Sequence, residues 1–163
     1  MKVKGIFEIE HIRDGKVINK QKFENAVTYE GMNHILDVEF HGTAQITAWF
    51  LGLINNSGGP TLSIDDEFVG GGGHTGWVES TDYDEAARPA WNEDAAALGV
   101  IDSVSVTTFT IDTTVTIYGI FVTSNATKSN ETGILWASGA FSSPIACVDD
   151  DTIKVNYSVT LSE

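Results

Sequence analysis

Residues 2–23, KVKGIFEIEHIRDGKVINKQKF, decide the fold class. Val3, Phe7 and Ile9 alternate with Lys4, Glu8 and Glu10, and a second apolar–polar run follows at 16–23. Side chains along a strand point to opposite faces in turn, so this alternation describes a strand with one face on a core and one in water. Between the two runs stands Asp14-Gly15. Both residues tolerate the positive φ angles of a two-residue turn, so the pattern predicts a β-hairpin.

Outward from the hairpin the period changes once. Met32, Ile35, Leu36 and Phe40 recur at helical spacing and Gly42 stands where helices commonly stop, which predicts one short α-helix at about 30–40. ITAWFLGLI (46–54) is apolar on both faces, as a central strand is. The β pattern returns at 103–111, 114–123, 133–141 and 152–161, with turn residues between. Seven or eight strands and one helix in 163 residues imply a mainly β protein: a single-domain β-sandwich, jelly-roll-like, over 1–163. Residues 1–24 are expected to be a hairpin or arm used for attachment, and 25–163 the sandwich body, with a long irregular segment at 55–99. There is no internal repeat, heptad or collagen-like tract, which argues against a fibre shaft.

Composition narrows the partners. A content of 42% hydrophobic and 10% aromatic residues argues against disorder. Nine Lys/Arg against 23 Asp/Glu give a net charge of −14, which repels phosphate backbones and anionic lipid, so neither nucleic acid nor membrane is expected as a partner. The N-terminus lacks the apolar stretch of a signal peptide, and no run of 18 apolar residues exists. The single cysteine, Cys147, has no internal disulfide partner and reads as a small buried hydrophobe in a chain folded in a reducing cytoplasm. Six of the nine bases (Lys2, Lys4, Arg13, Lys16, Lys20, Lys22) fall in residues 1–25 with four acids, giving +2 there and −16 over the remainder. Two uses fit: Lys2, Lys4, Arg13 and Lys16 dock an acidic partner, or alternating Lys and Glu solvate an exposed strand face.

The chemical motifs are thin. Gly71 to Gly76 spells G-x-G-x-x-G, but a phosphate loop needs a helix after the glycines, and WVESTDYDEAARPAWN offers none and brings acids rather than a lysine. A glycine run that lets the chain bend and places Trp77 is the alternative. His34 and His41 lie seven apart, two helical turns, too far for a zinc helix. SPIACVDD carries no nucleophile signature around Cys147. The acidic clusters at 65–67, 82–85 and 149–151 complete no calcium loop. No catalytic residue, metal or cofactor is assigned. Trp49 and Trp136, in strand-like surroundings, are expected in the core. Trp77, Tyr83 and Trp91, in the irregular segment, are assigned to contacts with a partner or to a sugar-binding platform. Arg88, the only base between Lys22 and Lys128, joins that contact set and is expected to pair with an acid and pin its loop.

The series GMNHILDVEFHG, WFLGLI, HTGWVESTDYDEAARPAW, TIYGIFVTSNATKSNETGILWASGAF and DTIKVNYSVT resembles a family of small structural proteins of tailed-bacteriophage virions. The resemblance spans roughly residues 25–161 and leaves the hairpin outside. It implies a non-enzymatic protein: a capsid cement or decoration protein on the capsid surface, made in the host cytoplasm. The implied partners are the major capsid protein and further copies of the chain as a trimer or dimer. A tail, baseplate or fibre-attachment module is the alternative within virions. A carbohydrate-binding module using Trp77, Tyr83 and Trp91 is the alternative from another class.

Overall fold

Asp14 and Gly15 take φ angles of 49° and 72°, the two left-handed residues that a tight hairpin turn requires. They join β1 (Lys2–Arg13) to β2 (Lys16–Val27). The computed structural model describes residues 2–55, 59–68 and 74–163. Phe7, Ile9 and His11 of β1 face the interior, and the intervening acids face solvent. On that outer face Glu8 stands opposite Lys22 and Glu10 opposite Lys20, with ion pairs of 2.5 and 2.6 Å, and Lys4 pairs with Glu24. The alternation seen in the sequence is therefore a cross-strand charge ladder on a solvated face.

The hairpin is not a free arm. β1 is hydrogen-bonded on its other side to β10 (Thr152–Ser162), in register from Lys2↔Ser162 to Ile12↔Thr152. An N-terminal strand whose two neighbours satisfy both edges is part of the body, which corrects the expected division at residue 24. The outer edge of β10 is completed by β6 (Val100–Asp102) and β7 (Thr107–Thr110). The sequence suggested one strand over 103–111. Instead the chain breaks between β6 and β7, where the Ser103 hydroxyl donates to the Tyr157 carbonyl and accepts from the Trp91 indole.

The second layer is built on β8 (Val115–Thr123), paired with β3 (Trp49–Ile54) and β9 (Leu135–Cys147). The far edge of β3 carries two short strands, β4 (Glu79–Ser80) and β5 (Ala90–Trp91). The layers are halves of one antiparallel sheet that curls through β2. Residues 16–25 of β2 pair with β1, and Ala26 and Val27 pair with Ser138 and Ala137 of β9. The mainly β, sandwich-like expectation is met. The strands that the sequence did not reveal, β4, β5 and β6, have two or three residues, too few to show a period.

Between the halves, Phe7 stacks on Tyr157 at 4.3 Å and Phe23 meets Phe141 at 5.6 Å. The Trp136 indole N–H crosses from β9 to the Tyr157 hydroxyl at 2.9 Å. The helix α1 (Tyr29–Phe40) lies against β9, capped by Thr28, whose hydroxyl accepts from the Gly31 N–H at 3.0 Å. Gly31 is required there because a Cβ would stand 2.6 Å from the Trp136 carbonyl oxygen. Met32 and Ile35 pack on the core, as their spacing predicts.

Candidate interaction surface

The outer face of β8 explains the irregular segment. Ile120 and Val122 point into the main core, while Phe121 points the other way and joins Ile54, Leu135, Phe68 and Trp77 in a second, smaller core. Residues 59–68 and 74–80, through Leu62, Phe68 and Trp77, cover that second core. Trp77 is only 2% exposed; its indole N–H donates to Asp66 Oδ2 at 2.9 Å, and His74 stacks on it at 3.6 Å. The glycine run at 70–73 lies outside the described residues, and the chain after it enters a turn and then β4 rather than a helix.

The contact set assigned to this segment needs correction. Trp77, Tyr83, Arg88 and Trp91 are all buried, so none of them presents a face to a partner or a sugar. Trp91 packs edge-on against Tyr157 at 5.0 Å. Tyr83 packs edge-on against Phe109 at 5.0 Å, with Lys128 Nζ 3.7 Å from its ring centre. Arg88 pairs as expected with an acid, donating from Nε and Nη2 to both oxygens of Glu79 at 2.8 and 2.7 Å. Nη1 and Nη2 also donate to the carbonyls of Asn125 and Asn130 at 2.8 and 3.0 Å, and the guanidinium lies over Phe121. One arginine thus ties the cover to the loop between β8 and β9. The available signal was the run GIFVT: an antiparallel strand apolar on both faces needs a second layer, and Phe68 and Trp77 supply it.

Of the hairpin residues, Lys2, Lys4 and Lys16 are exposed and remain accessible. Arg13 has a different role. Its Nε and Nη2 donate to Oδ1 and Oδ2 of Asp151 at 2.9 and 2.6 Å, and His11 Nε2 lies 2.8 Å from the same Oδ2. The Val148 N–H adds a fourth contact at 2.8 Å. The Arg13 guanidinium, with the Val148 N–H and His11, holds the Asp151 carboxyl far below the usual carboxylate range, against the opposing effect of burial. Cys147 completes the cluster. Burial, reinforced by the Asp151 charge, pushes its thiol up to about 12, so it stays protonated near neutrality and is not an activated nucleophile. Nothing in the sequence pairs residues 11 and 13 with 151, because strand neighbours in register carry no local signal.

One stretch of accessible apolar surface lies on α1, beside scattered exposed residues such as Val78, Leu98 and Val104 elsewhere. Tyr29, Leu36 and Phe40 share one outward stripe and are 51, 50 and 81% exposed. The helix is followed by a largely exposed coil at 41–48. Beside the stripe an open groove of about 760 Å³ runs between α1 and the strand ends, lined by Met32, Ile35 and Leu36 on one side and Lys2, Lys4 and Glu24 on the other. Among the described residues no helix is long and apolar enough to cross a membrane. Neither a scan against protein-family models nor a search of curated proteins finds a match to this chain.

Proposed function

We propose that this chain is a non-enzymatic structural protein of a tailed-phage virion, a capsid decoration or cement protein that binds the major capsid protein and further copies of itself as a trimer or dimer. The observation that carries the reading is the outward stripe of α1. Tyr29, Leu36 and Phe40 hold apolar side chains in water on a rigid backing, and burying such a stripe against a neighbour is a direct gain in free energy. Repeated around a symmetric shell, modest contacts of this kind add to a large total. Two further points support it. The resemblance of residues 25–161 to phage virion proteins agrees with a contact role, and an acidic chain suits the outer side of a shell, away from packaged DNA.

The test is mass-spectrometric quantification of the chain in purified virions of the phage that encodes it. A copy number comparable to that of the shell subunits is expected. A handful of copies per particle would assign it to the tail or baseplate, and absence from particles would end both readings. The stripe is tested separately by adding the purified double variant Leu36→Asp, Phe40→Asp to shells that lack the protein. The variant is expected to stay folded and lose attachment; attachment at the native level would remove α1 from the contact.

A further inference from the structure

We propose that His11, Cys147 and Asp151 form a binding site for one thiophilic divalent cation, Zn²⁺ in the first instance. Each offers a ligand atom, imidazole nitrogen, thiol sulfur and carboxylate oxygen, and these atoms all lie within 4.8 Å of one another. Bonds of about 2.0–2.3 Å in a tetrahedral zinc site place ligand atoms about 3.5 Å apart, so shifts of an ångström or less close the set. The mixture of one nitrogen, one sulfur and one oxygen ligand favours zinc and disfavours calcium or magnesium, which seek oxygen alone.

The scaffold is rigid. His11 stands on β1 and Cys147 ends β9. Asp151 ends a turn tied to Ile111 by two backbone hydrogen bonds of 2.8 and 2.9 Å. All three residues are 3% exposed or less. The supporting contacts also resemble those of a metal site: a ligating carboxylate is commonly held by a further donor, and here the Val148 N–H holds Asp151. Binding exchanges the His11–Asp151 hydrogen bond for two bonds to the cation. The thiol proton leaves to solvent, and His11 presents a bare Nε2 with any ring proton on Nδ1. Arg13, whose side chain is 36% exposed, forms the outward wall of the cluster. Turning it toward solvent opens the way in and leaves the fourth position to water.

Arg13 makes the inference discriminating, because its positive charge opposes the cation while its hydrogen bonds support the apo cluster. The experiment uses tag-free, chelator-stripped protein titrated with Co²⁺. One equivalent is expected to give the visible bands of a tetrahedral site and a near-ultraviolet thiolate-to-cobalt charge-transfer band, and Zn²⁺ is expected to abolish both. The Cys147→Ser variant is expected to lose the charge-transfer band, with its fold checked by circular dichroism. The Arg13→Gln variant is expected to bind Co²⁺ about tenfold tighter despite a less stable apo form. Wild-type protein that gives no band at stoichiometric Co²⁺ overturns the proposal, and this reading needs no variant to fold. An unchanged band in Cys147→Ser, or weaker binding in Arg13→Gln, overturns it equally.

Discussion

The β1–β2 hairpin and the segment from His74 to Trp91 both carry charged side chains, and the structure uses them in opposite ways. The hairpin spreads its lysines and glutamates over an exposed face in separate pairs such as Lys20–Glu10, whose side chains are 68 and 39% exposed. The segment buries one arginine, 1% exposed, against one glutamate and two carbonyls. An exposed pair gains little Coulomb energy in water and is screened by salt, so the ladder serves solubility and register more than stability. A buried guanidinium has no water to fall back on. Removing its partners or the guanidinium itself strands a polar group, so a single side chain holds a whole loop in place.

Mutations can break or sharpen this contrast. Arg88→Ala is expected to cost about 3–5 kcal/mol in urea unfolding, because Glu79 and the Asn125 and Asn130 carbonyls lose their partner in a buried site. A loss below about 1 kcal/mol would place Arg88 in the same class as the hairpin lysines. The next effect is alkaline. Burial is the main cause that raises the phenols of Tyr83 and Tyr157 well above their ordinary value of 10.0. Because the folded-state pKa lies above the unfolded one, the stabilisation is complete below pH 10 and is lost progressively as pH rises beyond it. The urea midpoint measured from pH 8 to 11 is expected to hold steady and then fall; a flat profile would mean that both phenols reach solvent.

Tyr83→Phe comes third, and its sign is the informative part. The buried Tyr83 hydroxyl has no hydrogen-bond partner among the described residues, so its removal is expected to be neutral or to stabilise by up to about 1 kcal/mol, and to make the alkaline loss shallower. A destabilisation of about 2 kcal/mol would show a partner for that hydroxyl. Lys20→Gln is the smallest, under about 1 kcal/mol, and the difference from wild type is expected to vanish in about 1 M salt.

What the sequence revealed and what it hid divide along the same line. Asp14-Gly15, the alternation of β1, the helix ending near Gly42, and the strands β8 and β10 were legible because each is fixed by local rules: turn chemistry, period and capping. The packing of Phe68, Trp77, Tyr83 and Trp91 was not. Phe68 and Trp77 are placed by Phe121 and Leu135, and Tyr83 and Trp91 by the main core, all through residues distant in sequence, so aromatics of an aperiodic stretch read as a surface when they are buried. The pairing of Arg13 stayed hidden for the same reason. Its partner Asp151 is 138 residues away and adjacent only because β1 lies beside β10.

That pairing of β1 with β10 also sets a schedule for synthesis. Residue 2 finds its register partner only when residue 162 exists, so the half-sheet built on β1 stays open while the rest of the chain is made. The strands β3, β8 and β9 pair with one another and can meet earlier. On the ribosome, the charged outer face of the waiting hairpin keeps an unfinished edge in water and so guards it against pairing with the wrong chain.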